Sequence, residues 1–344
     1  MENNEILVIC HLTDSKCNGQ VAKTNDVISF LKKNKYNVTV LNYGKMNTFQ
    51  KLFFSKGIIK KFKNVILMPG GKKALFFYSS LITKLKISNS HYIAIGGWVQ
   101  KLLEDKRINK LKGFKCVYLQ NRETINSFKE KGFENLCLVS SFSSKKFLNQ
   151  NEADEKFNSY KNIGEYRFCF FARVEKSKGV LLACDAIIQL KKNNPNLNIS
   201  LDIYGECKNN ELKNELSIIE SSNDYISYKG VISGNNAIKT LSNYYCMLFP
   251  TFYPGEGVPH TIIESFGSAL PVIASNWAYN GEIIENEKTG LIFSLKEKDD
   301  LENKILWSIK HIDEMAHISK NCYLESKKYN IDELLKPLLT NLAS

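Results

Sequence analysis

Glu256 and Glu264 lie eight residues apart around Gly255, Gly257 and Pro259, just ahead of and within a run with helical spacing. Pro259 suits the first position of a helix, and Ile262, Ile263, Phe266, Ala269 and Leu270 then share one apolar stripe. Glu264 falls on a polar face with Thr261 and Ser268, about one turn in from the helix start. A carboxylate held there can accept two hydrogen bonds from a vicinal diol, such as the 2′- and 3′-hydroxyls of a ribose. Taken alone, Glu264 reads more simply as an exposed acid that the helix dipole favours by only about 0.3–1 kcal/mol. Gly255 and Gly257 shift the balance, because glycines before a helix let backbone amides approach a phosphate and aim the helix N-terminus at it. An acid between those glycines suits a sugar hydroxyl better than a phosphate. The stretch therefore reads as a nucleotide-sugar site, with diphosphate at the helix start, ribose on Glu264 and the sugar near Glu256. His260, in the first turn, suits a cap as well as a ligand contact.

A diphosphate leaving group needs cations. Arg173 follows the apolar run "RFCFFA", and Lys178 comes five residues later, before Gly179 and a new helical pattern. Both are expected at the carboxyl end of a strand, where they would neutralise charge as a sugar to phosphate bond breaks, an effect worth several kcal/mol in comparable sites. "MPGGKKA" lacks the spacing and hydroxyl of a nucleotide-triphosphate loop and reads as a strand to helix turn. His11, after the first strand, faces either a cleft or solvent.

Such residues need strand ends to carry them. In the first half "EILVIC", "NVTVL", "NVILMP", "HYIAIG", "KCVYL" and "NLCLVS" alternate with helical patterns such as "QVAKTNDVISFLKKN" and "GWVQKLLEDKRINKLK". Continuous apolar runs separated by helices mean a parallel sheet covered on both faces. The alternation stops in a polar stretch near 140–165 and resumes with "YRFCFFAR", "LNISLDIYG", "YISYKG", "YCMLFP" and "LPVIAS". The expected fold is α/β, with two Rossmann-like doubly wound parallel-sheet domains facing a cleft. The boundaries are 1–150, a linker at 151–165, a second domain over 166–322 and a C-terminal helical segment over 323–344, with ligands at the carboxyl ends of the strands.

The 344 residues suit two domains, and no apolar run is long enough to span a bilayer. No basic region precedes an apolar one in "MENNEILVIC", so no signal peptide is expected. Nine cysteines without a Cys-x-x-Cys pair point to reduced residues in a cytoplasmic protein, with neither a disulfide framework nor a zinc site. The net charge of +12 sits mainly in residues 1–165, which carry 28 Lys/Arg against 13 Asp/Glu. A basic half attracts polyanions, unless it is only a solvated, Lys-rich face. Within it, "NTFQKLFFSKGIIKKFK" (47–63) combines Phe49, Phe53, Phe54, Ile58, Ile59 and Phe62 with five lysines, and "KKALFFYSSLITKLK" has the same character. Core packing is expected for most of those aromatics, with the lysines facing an anionic bilayer or a lipid-diphosphate acceptor.

"FARVEKSKG", "EGVPHTIIE" and "ALPVIASNWAYNGEIIENEKTGLIF", in that order, resemble a retaining glycosyltransferase of family 4 with the GT-B fold, and "NWAYNGE" its bacterial polysaccharide-assembly members. The resemblance implies that Glu264 holds the ribose, Glu256 contacts the donor sugar, and Arg173 and Lys178 hold the diphosphate. It also implies that the C-terminal segment packs back on the first domain. Gly255, Gly257, Pro259 and His260 line the donor site in this reading, and Gly19, before the first helix, lets the acceptor domain approach the donor phosphates. The family's His after the fourth strand is replaced by Gly96-Gly97-Trp98, with His91 at the strand's other end, and its Asn-Pro by Ser140-Ser141. The expected activity is sugar transfer from a nucleoside-diphosphate sugar to a glycan or polyprenyl-diphosphate-linked acceptor in cell-surface polysaccharide synthesis, on the inner face of the membrane. No metal, cofactor or nucleic acid is expected. The rivals are another GT-B reaction, such as sugar-nucleotide epimerisation, and a non-catalytic membrane or nucleic-acid binding protein using the basic half.

Overall fold

The computed structural model describes residues 4–13, 19–96, 98–232 and 236–343, apart from the side chain of Leu52. The chain divides into two compact units, 1–144 with 330–344, and 145–329. In the first, strands β1 (Glu5–Cys10), β2 (Asn37–Asn42), β3 (Asn64–Met68), β4 (Asn89–Ile93), β5 (Cys116–Leu119) and β6 (Leu136–Leu138) form one sheet in the order β2-β1-β3-β4-β5-β6. Every pair is parallel. These are the six runs read from the sequence as strands. Alternate residues of the central strands enter opposite cores: Leu7, Ile9, Val65 and Leu67 on one face, Ile6, Val8, Ile66 and Met68 on the other. Burial on both faces is why these strands read as unbroken apolar runs.

The second unit repeats the plan with β7 (Tyr166–Phe171), β8 (Ile199–Tyr204), β9 (Ile226–Gly230), β10 (Cys246–Phe249), β11 (Val272–Ser275) and β12 (Leu291–Phe293), ordered β12-β11-β10-β7-β8-β9 and again all parallel. In both orders the chain leaves a central strand in two directions, the arrangement that opens a ligand crevice at the strands' carboxyl ends.

Three details differ from the sequence reading. Residues 151–165 are not an irregular linker: Gln150–Ser159 is a helix of the second unit, opened by Asn149, whose side chain accepts from the Glu152 amide while Glu152 returns the bond. It reads as polar because one of its buried positions is Lys156, whose ammonium donates to the Tyr244 carbonyl and lies 4.8 Å from the centre of the Tyr160 ring. Secondly, "GWVQKLLEDKRINKLK" forms two short 3-10 stretches, Gln100–Leu102 and Lys106–Gly113, because Asp105 turns its carboxylate onto the Arg107 amide and starts a new turn. Lastly, the segment grouped with the first unit starts at Asn330 and not at Tyr323; Leu335, Leu338 and Leu342 are buried in the core that holds Ile6 and Val8.

Candidate functional site

The candidate residues of the second unit gather at the carboxyl ends of β7 and β10. Beyond β7 the chain stays extended, the Ala172 amide donating to Tyr204 O and the Val174 amide to Glu206 O. Arg173 lies between them. A short turn, Lys176–Lys178, closes on Gly179, which has φ 78° and caps the helix Val180–Asn193. Only glycine fits there: a Cβ would stand 2.0 Å from the Pro250 carbonyl oxygen. The turn is tied to the segment after β10 by the Phe252 amide donating to Ser177 O at 2.9 Å.

That close approach delivers Lys178 to Glu256. Lys178 Nζ lies 2.5 Å from Glu256 Oε2, and both side chains are only 9% exposed. The same carboxylate oxygen accepts from Thr251 Oγ1 at 2.9 Å. Over this pair lies the Tyr253 ring, with Lys178 Nζ 4.6 Å and the Arg173 guanidinium 5.2 Å from its centroid. Trp277 Nε1 donates to Tyr253 O at 2.8 Å, so a residue of the "NWAYNGE" run pins the loop that holds the ring. Gly255 lies under Tyr253, where a Cβ would meet the ring at 2.8 Å. Arg173 also reaches Glu175 Oε1 at 2.5 Å and is more exposed than Lys178.

Gly257 and Pro259 are buried, and Pro259 is the N-cap of the helix His260–Gly267, one position earlier than its expected place. The helix is apolar along the foreseen stripe, and Glu264 is buried as well, its side chain 4% exposed. One carboxylate oxygen, Oε1, takes Lys145 Nζ at 2.6 Å and His260 Nε2 at 2.9 Å. Burial pushes the Glu264 carboxyl up, but the charges and hydrogen bonds of His260 and Lys145 outweigh it and hold the group below the usual carboxylate range. His260 thus contacts a site acid, and its buried Nδ1 has no hydrogen-bond partner. Ser268 does not share an open polar face with Glu264; it is buried, its hydroxyl donating to Glu264 O.

Lys145 had no sequence signal, since 119 positions separate it from Glu264. It arrives because the next residues pack on the same helix: the Phe147 ring fills the space over Gly267, and the Leu148 amide donates to Gly267 O. Tyr253, Thr251 and Trp277 lay in stretches already singled out, but their roles come from how the loop folds. In the first unit, Gly19 opens the helix Gly19–Lys33, exposed and with nothing within 4 Å of where a Cβ would stand. Gly97 lies outside the described residues. His11 sits between Gly44 and Gly70 with its ring 5.4 Å from that of Tyr43, while His91 is a buried residue of β4.

The family described as "Glycosyl transferases group 1" covers residues 151–324. The chain belongs to the group 1 glycosyl transferases. Among their relatives, the GtfA subunit of the UDP-N-acetylglucosamine–peptide N-acetylglucosaminyltransferase of Streptococcus pneumoniae is 28% identical over 156 residues, which span 44% of this chain and 27% of that protein. Among solved structures, Anabaena HepE in complex with UDP-glucose superposes with a TM-score of 0.73 at 13% identity, covering 98% of this chain and 99% of that one. A glycosyltransferase from Rickettsia africae gives 0.74 at 18% identity over 99% and 98%. These likenesses establish the two-domain GT-B fold of this group 1 member.

Proposed function

We propose that the protein transfers a sugar, with retention of configuration, from a nucleoside-diphosphate sugar to a glycan or polyprenyl-diphosphate-linked acceptor in cell-surface polysaccharide synthesis at the inner face of the membrane. The observation that carries the reading is that Arg173 and Lys178 both lie against the Tyr253 ring, with Lys178 paired to Glu256. Two cations that contact one aromatic side chain suit a diphosphate, whose charge rises as the anomeric C–O bond breaks and its electron pair leaves with the phosphate oxygen. Lys178 turns from Glu256 toward that oxygen, and Glu256 becomes free to accept from a sugar hydroxyl. Glu264, kept ionised by its low pKa, accepts from the ribose in place of Lys145. Gly255, Gly257, Pro259 and His260 frame the donor. The acceptor hydroxyl attacks the face the diphosphate leaves and gives its proton to the departing phosphate oxygen, so no protein nucleophile is needed.

HepE was crystallised with UDP-glucose and the pneumococcal transferase with UDP and GlcNAc, which makes UDP-sugars the first donors to test. Hydrolysis and transfer are measured across UDP-, GDP- and ADP-sugars, with the product anomer read by NMR. One donor should turn over to a product of unchanged anomeric configuration, and Glu264→Ala should abolish turnover while the circular dichroism spectrum stays native. Failure of every donor, or an inverted product, overturns the proposal. Since Arg173 and Lys178 neutralise the leaving group, EDTA should leave the rate unchanged.

A further inference from the structure

Most apolar residues of the basic segment 47–63 do what a covering helix requires. Ile59 and Ser55 are fully buried, Ile58 and Phe62 pack against the core, and Ser55 Oγ lies 3.4 Å from Tyr78 Oη. Phe49, Phe53 and Phe54 do not. They are 69%, 65% and 58% exposed, and the rings of Phe49 and Phe53 lie 4.6 Å apart, forming an aromatic cluster in water. The stretch is anchored on its inner side, so these rings are held outward. Single exposed apolar residues are ordinary, but three large rings within six residues mark a surface that meets something apolar.

The charge around them narrows the occupant. Lys45, Lys56, Lys60, Lys61 and Lys63 are exposed beside the cluster. Between Val27 and Leu103 the chain carries fourteen lysines and no acidic residue. A second copy of the same face would bring these cations against their own kind. The helix Lys72–Lys84, which Tyr78 joins to this segment, has the same chemistry: Lys73, Phe77, Leu81, Lys84 and Arg107 border a cavity of about 450 Å³. Aromatic rings ringed by cations match the boundary between the headgroups and acyl chains of an anionic membrane.

We infer that residues 49–61 of the first unit form a docking surface for an anionic lipid bilayer, with Phe49, Phe53 and Phe54 entering the interface and the lysines meeting the lipid phosphates. This deepens the lipid-linked acceptor part of the proposed function, and because binding is read without turnover either can fail alone. The full chain is sedimented with phosphatidylcholine vesicles, with and without phosphatidylglycerol, at low and high salt. Wild type should pellet with the anionic vesicles and be released by salt. F49S/F53S/F54S, with a native melting profile and unchanged donor binding, should lose about ten-fold or more in partitioning, and each of K56Q, K60Q and K61Q about five-fold. Equal binding to both vesicle types, no binding to either, or wild-type partitioning by the triple variant overturns the inference. Self-association or oligonucleotide binding that vanishes in the triple variant, without vesicle binding, assigns the patch to another partner and overturns it too.

Discussion

Arg173 and Lys178 lie 5.2 and 4.6 Å from the centre of the Tyr253 ring, so one aromatic side chain contacts both cations. A cation–π contact is worth about 0.5–2 kcal/mol, so Tyr253→Leu should weaken donor binding roughly 3- to 30-fold in calorimetry, whereas Tyr253→Phe should stay near wild type. His91 makes a different kind of prediction. Burial first, and then the charge of Lys115, push its imidazole from 6.5 down to about 4. As pH falls the unfolded chain takes up this proton before the folded one does. The stability that neutral His91 allows is therefore complete above about pH 6.5 and is lost on the way to about 4, at roughly 1.4 kcal/mol per unit. Urea unfolding at about pH 7 and about pH 5 should show the drop, and His91→Gln should flatten it. The types of Glu256, Glu264, Arg173 and Lys178 and their places in short motifs were legible from sequence. That Lys178 rests on Glu256, and that Lys145 reaches Glu264, was not, because side-chain partners across 78 and 119 positions depend on which strand ends lie side by side.

The turn Lys176–Gly179 has one geometry available to it. With φ 78° at Gly179 and the Pro250 carbonyl where a Cβ would go, Gly179→Ala forces a left-handed alanine and pushes β7's extension off the segment after β10. A loss of about 2–4 kcal/mol in denaturant unfolding is expected, together with loss of donor binding, since Lys178 is carried on the displaced turn. The central strands β1, β3, β7 and β10 were legible because they are buried apolar runs, while β2, β8 and β9 were legible from their β-branched and aromatic residues between helical patterns. The helix Gln150–Ser159 was missed because its inward face includes a lysine, although Asn149 and Glu152 spelled out its start. Periodicity finds elements whose buried face is apolar; one that hides a cation under an aromatic ring gives no such pattern.

At the scale of the molecule, each sheet carries its own core, but the first unit borrows the chain's closing helices to complete one of its two faces. Leu335 and Leu338 are fully buried and Leu342 nearly so, among Ile6, Val8 and Cys10. A chain ending at Tyr329 strips three leucines from that face, each worth about 2–5 kcal/mol when a core site is emptied. It should therefore lose cooperative unfolding of the first unit, while amide exchange in β7–β12 stays slow. No helix among the described residues is long and apolar enough to cross a membrane.

The same borrowing orders events on the ribosome. Domains generally fold as they emerge, earliest first. Here the earlier-made unit must wait with one side of its sheet uncovered until residues 331–343 are synthesised, whereas 145–329 has all its own parts by then. The unit of residues 145–329 is the first that can finish, and the nascent first unit is the one left with an apolar face open to water.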